Sequence, residues 1–305
     1  MCIICKGDSL TNLKELRVCY NVFEIPELPQ SLEDLWCFNC PLLTTIPELP
    51  QSLTRLYCGN CPLLITLPEL PQSLIYVGCY NCPLLTTIPE LPQSLTRLYC
   101  SYCPSLQYLP ELSKSLTRLY CSNCPLLTTL PTLPQSLKEL YCSNCLLLTT
   151  IPELPQSFIH LDCSNCPLTT LPKLPQSLIV LRCDNCSNLI FIPELSKSLT
   201  RLDCSNCPLL TTIPEIPQSL TLIVCKGCTG LIFVSESTMG YISPNLLEII
   251  NDNYLRWRQQ KAYDFFSSKT GTIYEELIRK TWYPSRVIDW CWDTEEVKWF
   301  KSLHN

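Results

Sequence analysis

The chain has 305 residues, a net charge of −5, 24 cysteines, 27 prolines and only 2 histidines. This balance lacks the basic footprint of a nucleic-acid-binding domain, and no apolar run reaches the roughly 18 residues needed to span a bilayer. The N-terminal MCIICKGDSL holds too short an apolar core for a secretory signal, so the cysteines read as thiols of a reducing, intracellular compartment, expected to be the cytoplasm of the producing or host cell.

Residues 1–12 precede any regularity and are expected to form an N-terminal cap. From Leu13 one unit recurs. Its copies begin at Leu13, Leu32, Leu53, Leu74, Leu95, Leu116, Leu137, Phe158, Leu178, Leu199 and Leu220, with spacings of 19, then 21 six times, then 20, 21 and 21. The standard copy, from Leu53 to Ser73, reads LTRLYCGNCPLLITLPELPQS. Positions within a copy are counted from its first residue. Leucine stands at positions 1 and 4, and cysteine at 6 and 9; the first copy has Val18 and Asn21 at these last two.

Alternation predicts a short strand over positions 3 to 7, with 4 and 6 facing a core and 3, 5 and 7 facing away. Position 9 is expected to turn inward past the strand. Leu63, Leu64 and Leu67 are expected to fill the core behind it. Pro68, Glu69, Leu70 and Pro71 then exclude a regular helix and predict an extended, polyproline-like return leg. Asparagine at position 8 (Asn60, Asn123, Asn144, Asn165, Asn206) reads as a turn residue that tolerates a left-handed backbone. A period near 20 with L-x-x-L-x-[apolar]-x-x-[N/C] is the leucine-rich-repeat signature. The predicted fold class is a repeat solenoid: a curved rod over 13–234, with eleven short parallel strands on the concave face and a non-helical convex side.

The repeated C-x-x-C pairs satisfy, on spacing alone, a four-cysteine zinc pattern. The opposing reading is stronger. Every cysteine of the pairs within the copies is in phase with the leucines, and free cysteine packs as a small buried hydrophobe. No metal and no other cofactor is therefore expected.

The copies differ mainly at positions 3, 5 and 7. Those positions give the candidate binding residues: Trp36, Phe38, Arg55, Tyr57, Tyr76, Tyr80, Arg97, Tyr99, Arg118, Tyr120 and Tyr141. Tyrosine, tryptophan and arginine dominate interface energetics, so the expected partner is a protein or peptide, with a host protein in view. Single-stranded RNA stacked on Tyr57, Tyr99 and Tyr120 is a lesser alternative, set against the net negative charge. No membrane partner is expected.

After Cys228 the repeat fades, and 235–305 is expected to be a small α-helical cap or accessory region. Ser243-Pro244 is an N-cap followed by proline at the first helical position, with Leu246, Leu247, Ile250, Tyr254, Leu255 and Trp257 at helical spacing.

The repeat resembles the short, proline-bearing units of the bacterial YopM and IpaH effectors, LPxLPxxLxxLxVxxNxLxx. The Phe158 copy, FIHLDCSNCPLTTLPKLPQS, fits that frame without a gap. The recurring phrase, which reads PELPQSLTRLYCGNCPLLITL over 47–67, is similar to repeat proteins of giant DNA viruses of amoebae. The resemblance implies a non-enzymatic interaction scaffold. It also raises one enzymatic alternative. IpaH-type ligases carry a catalytic cysteine in a C-x-D motif after their repeats, which would assign ubiquitin transfer to Cys291 with Asp293 assisting. The tail is several times shorter than that catalytic domain.

Overall fold

The computed structural model describes residues 3–231 and 233–234. The helices expected beyond Val234, together with Cys291 and Asp293, lie outside the described residues.

A short helix, α1 (Ile3–Lys6), opens the chain. Each copy then contributes one three-residue strand: β1 (Glu15–Arg17), β2 (Asp34–Trp36), β3 (Arg55–Tyr57), β4 (Tyr76–Gly78), β5 (Arg97–Tyr99), β6 (Arg118–Tyr120), β7 (Glu139–Tyr141), β8 (His160–Asp162), β9 (Val180–Arg182), β10 (Arg201–Asp203) and β12 (Leu222–Val224). They form one 11-stranded sheet in chain order. Neighbours are parallel and pair position to position, as in Leu56 with Val77 and Tyr99 with Tyr120. On the convex side, β11 (Thr212–Ile213) pairs with β13 (Phe233–Val234). The rest of the return leg is extended and non-helical, as two prolines in four residues demand.

The strands cover positions 3 to 5 rather than 3 to 7. The cause is position 8. Asn39, Asn60, Asn81, Asn123, Asn144, Asn165, Asn185 and Asn206 all have φ between 53 and 58°, a left-handed turn that asparagine tolerates. Tyr102 adopts it too, at 59°. Ahead of the turn the ladder survives only at alternate amides. Cys58 N–H donates to the Gly78 carbonyl (2.7 Å), and Asn60 N–H to that of Tyr80 (2.8 Å).

The turn aims position 9 inward. Its thiol finds an acceptor in the backbone: Cys61 Sγ donates to the Cys37 carbonyl at 3.0 Å, Cys103 to Cys79 at 3.2 Å and Cys228 to Cys204 at 2.9 Å. Each position-9 cysteine thus bonds the position-6 carbonyl of the copy before it. From Cys37 to Cys228, the cysteines of the repeats are buried. Burial pushes the thiols of Cys58, Cys79 and Cys121 well above their ordinary range, which keeps them protonated and chemically quiet. Asn21, at position 9 of the first copy, departs from the expectation. It is exposed, and Val22 is buried instead. No earlier copy lies beneath it to offer a carbonyl.

Leu64 and Leu67 enter the core as expected, but Leu63 does not; it is 41% exposed. The Leu64 amide donates to the Cys61 carbonyl at 3.2 Å. This tight turn throws its two middle residues, Pro62 and Leu63, outward. The Phe158 copy lacks that residue, so the one leucine following its Cys166-Pro167, Leu168, is fully buried.

The conserved-looking PQS ending also has a structural role. Ser52, Ser73, Ser94, Ser136, Ser177 and Ser219 each donate to the carbonyl of the residue that began their own copy, at 2.6 to 2.7 Å. In these copies the serine closes the coil. At the N-terminal end, α1 brings Cys5 Sγ to 3.2 Å from Cys19 Sγ.

Candidate functional site

Positions 3, 5 and 7 project from the concave face, opposite the buried leucines and cysteines. In-register stacking turns each position into a column. Position 5 supplies Trp36, Tyr57, Tyr99, Tyr120 and Tyr141, and their rings meet along the rod. Trp36 and Tyr57 are stacked with centroids 3.7 Å apart; Tyr99–Tyr120 and Tyr120–Tyr141 are both stacked at 4.3 Å, with 11° between planes. Such ring pairs contribute about 0.5–1.5 kcal/mol each beyond their area burial. The Arg17 guanidinium lies 5.2 Å from the Trp36 ring and extends the column at one end.

Glycine interrupts this column at Gly78. Tyr76, two residues earlier on the same strand, leans over the gap. A Cβ on Gly78 would meet the Tyr76 ring at 3.0 Å. In that pose Tyr76 lies 4.5 Å from Tyr57 and 5.2 Å from Tyr99. His160 does the same at the far end, where position 5 is Asp162; its ring is 4.5 Å from Tyr141. The result is an unbroken ladder from Trp36 to His160. A second gap lies in column 7, where Gly59 makes room for Tyr80. A Cβ there would meet the Tyr80 ring at 2.8 Å. Tyr80 thereby reaches Phe38, with centroids 5.9 Å apart.

The candidate residues are therefore brought together, and four that were not among them belong with them: Arg17, Gly59, Gly78 and His160. The signal was available at the glycines, because each faces an aromatic residue at position 3 or 7 of the same or the next copy.

Charges flank the ladder. Arg55 holds Asp34 through two contacts, one of them 2.6 Å long, and Arg118 Nε donates to Glu139 at 3.0 Å. The Tyr120 hydroxyl donates to Glu139 (3.2 Å), and the Tyr141 hydroxyl pairs with His160 Nδ1 (3.3 Å). Burial raises the ionisation of Tyr57, Tyr76, Tyr120 and Tyr141 above the ordinary phenol value and lowers that of His160. Further along, the face turns acidic and small, with Ser164 seated between the carboxylates of Asp162 and Asp184.

Two chemistries have no assembled site among the described residues. No three side chains of His, Cys, Asp or Glu are grouped so as to hold a metal ion. No helix is long and apolar enough to cross a membrane.

A family model described as Leucine Rich Repeat matches residues 115–137, 136–158 and 198–220. No curated protein sequence matches the chain. Among solved structures, YopM from Yersinia enterocolitica is 28% identical, with 74% of this chain and 58% of that one covered and a TM-score of 0.43. This chain thus spans just over half of that protein's length. A leucine-rich-repeat protein from Bacteroides ovatus is 18% identical, covering 78% of this chain and 81% of that one at a TM-score of 0.39. YopM from Yersinia pestis, described as a leucine-rich effector protein, is 32% identical, with 73% of this chain and 71% of that one covered and a TM-score of 0.53. With the same strand-per-copy solenoid and that degree of identity, the chain belongs to the leucine-rich-repeat family, in the short-unit form that YopM represents.

Proposed function

We propose that the chain is a non-enzymatic scaffold that captures a protein or peptide on its concave face, the rod comprising 13–234. The observation that carries this reading is the continuous ring ladder from Trp36 to His160, flanked by Arg55, Arg97 and Arg118. Rigid, half-buried aromatics lose little conformational freedom when a partner covers them, and arginine beside them supplies directional bonds. The reading rests as well on leucine-rich-repeat relatives and on the buried thiols of the framework, which suit a reducing cell interior. The resemblance of the repeat phrase to amoebal-virus proteins favours a host protein as the partner.

The ladder's geometry argues against RNA stacking. Base stacking needs exposed ring faces, and here the rings cover one another at 4.3 Å. What the face offers is ring edges, hydroxyls and guanidinium groups.

The test compares capture by the whole chain, by a Tyr57→Ala/Tyr99→Ala/Tyr120→Ala variant, and by a convex-side control carrying Glu69→Lys and Glu90→Lys. The concave variant should lose its captured proteins while keeping the native circular dichroism spectrum and thiol protection. The control should keep them. Equal capture by all three would refute a concave binding face.

A further inference from the structure

We infer that Arg97 anchors an acidic side chain of the partner, so that the segment bound over β4 to β6 is an extended stretch carrying aspartate or glutamate. This deepens the concave-face reading and rests on it.

The inference starts from column 3. Its residues run Asp34, Arg55, Tyr76, Arg97, Arg118 and Glu139. Arg55 is neutralised by Asp34, and Arg118 by Glu139. Arg97 meets no carboxylate among the described residues. Its neighbour in the parallel register is Arg118 itself, a like-charge pair of the kind that destabilises a sheet. The Glu139 carboxylate lies on the far side of Arg118, where it already accepts from Arg118 and from the Tyr120 hydroxyl.

Next to Arg97 on the same face of β5 stands Tyr99. Its ring is stacked on Tyr120, while its hydroxyl has no acceptor among the described residues. Arg97 and Tyr99 thus offer a guanidinium and a hydroxyl side by side, two donors with no acceptor. A carboxylate is the complement of that set.

The wider charge pattern agrees. From Glu15 to Ser143, the concave columns hold four arginines (Arg17, Arg55, Arg97, Arg118) against three carboxylates (Glu15, Asp34, Glu139), and those carboxylates pair with Arg17, Arg55 and Arg118. From His160 onward they hold three carboxylates (Asp162, Asp184, Asp203) and three cations (Arg182, Arg201, Lys226). In a chain of net charge −5, Arg97 is therefore the one arginine of this stretch left without a carboxylate among the described residues, beside the most regular part of the ladder. Complementary charge of this kind sets partner choice and register.

The experiment pans a random peptide library displayed on phage against the whole chain. Peptides rich in aspartate or glutamate should be enriched. Their affinity should fall about tenfold with Arg97→Gln, weaken as salt rises, and fall as well with Tyr99→Phe. Panning against Arg97→Glu should enrich lysine- or arginine-bearing peptides instead. Peptides that depend on Tyr57 and Tyr120 but show no acidic preference, and ignore Arg97→Glu, would overturn the anchor and leave the concave face standing. Peptides indifferent to Tyr57→Ala, Tyr120→Ala and Arg97→Gln alike would overturn both.

Discussion

At the scale of single residues, the cysteine at position 9 does two jobs. It fills core volume, and it donates to a carbonyl that the bend leaves without a strand partner. Cys103→Ala removes both, and should destabilise the rod by about 1–3 kcal/mol in urea unfolding. Cys103→Ser restores a donor without the apolar fit and should fall between. Reactivity follows the same burial. In the native chain a thiol reagent should modify Cys5 and Cys19 quickly, whereas Cys58, Cys79 and Cys121 react only after denaturation; mass spectrometry of quenched samples reads this directly. His160 gives a pH signature. Burial holds its folded-state pKa below the ordinary 6.5, so the unfolded chain binds the proton more readily. The contribution of neutral His160 is complete above pH 6.5 and is lost as pH falls from there through the depressed value. The thermal midpoint should drop over that interval, and drop less in His160→Gln.

At the scale of the element, one strand with its turn explains most of what the sequence disclosed and what it hid. Period, strand position, the inward leucines, the inward cysteines and the left-handed asparagines were all legible, because each is a local consequence of residue type at a fixed spacing. Leu63 was not. Two adjacent leucines look equally apolar, and only the turn closing at Leu64 decides which one faces water. Strand length was overestimated for a related reason, since alternation continues through a bend that hydrogen bonding does not. The ring ladder was legible as a column of tyrosines, but its continuity was not. It depends on Tyr76 and His160 leaning across from column 3, a choice of rotamer that no spacing encodes. The glycines test this account. Gly59→Val should displace Tyr80 and Gly78→Val should displace Tyr76. Each should move one tyrosine of the ultraviolet pH titration back toward the ordinary value of 10, with the strands retained by circular dichroism.

At the scale of the molecule, each copy touches chiefly its neighbours, so stability accumulates copy by copy. Removing 95–115, one complete copy, should leave a shorter rod with native-like circular dichroism and a modestly lower thermal midpoint. Removing only 95–104 should unfold the neighbouring copies, because it discards a strand and its cysteine turn while stranding the return leg. The whole-copy deletion of 95–115 also separates scaffold from site: without β5 the rod should stand, yet the donors of Arg97 and Tyr99 are gone.

Near-identity of the copies carries a hazard during folding. A strand that docks one whole unit out of place would bury the same leucines and cysteines, and the core would not detect the error. The concave side chains would. Shifted by one copy, Tyr80 would press on a residue with a Cβ instead of on Gly59, and Arg55 would lose Asp34. Gly59, Gly78 and the Arg55–Asp34 and Arg118–Glu139 pairs each occur once along the rod. They serve as address marks that let a chain built from interchangeable parts find its single correct assembly.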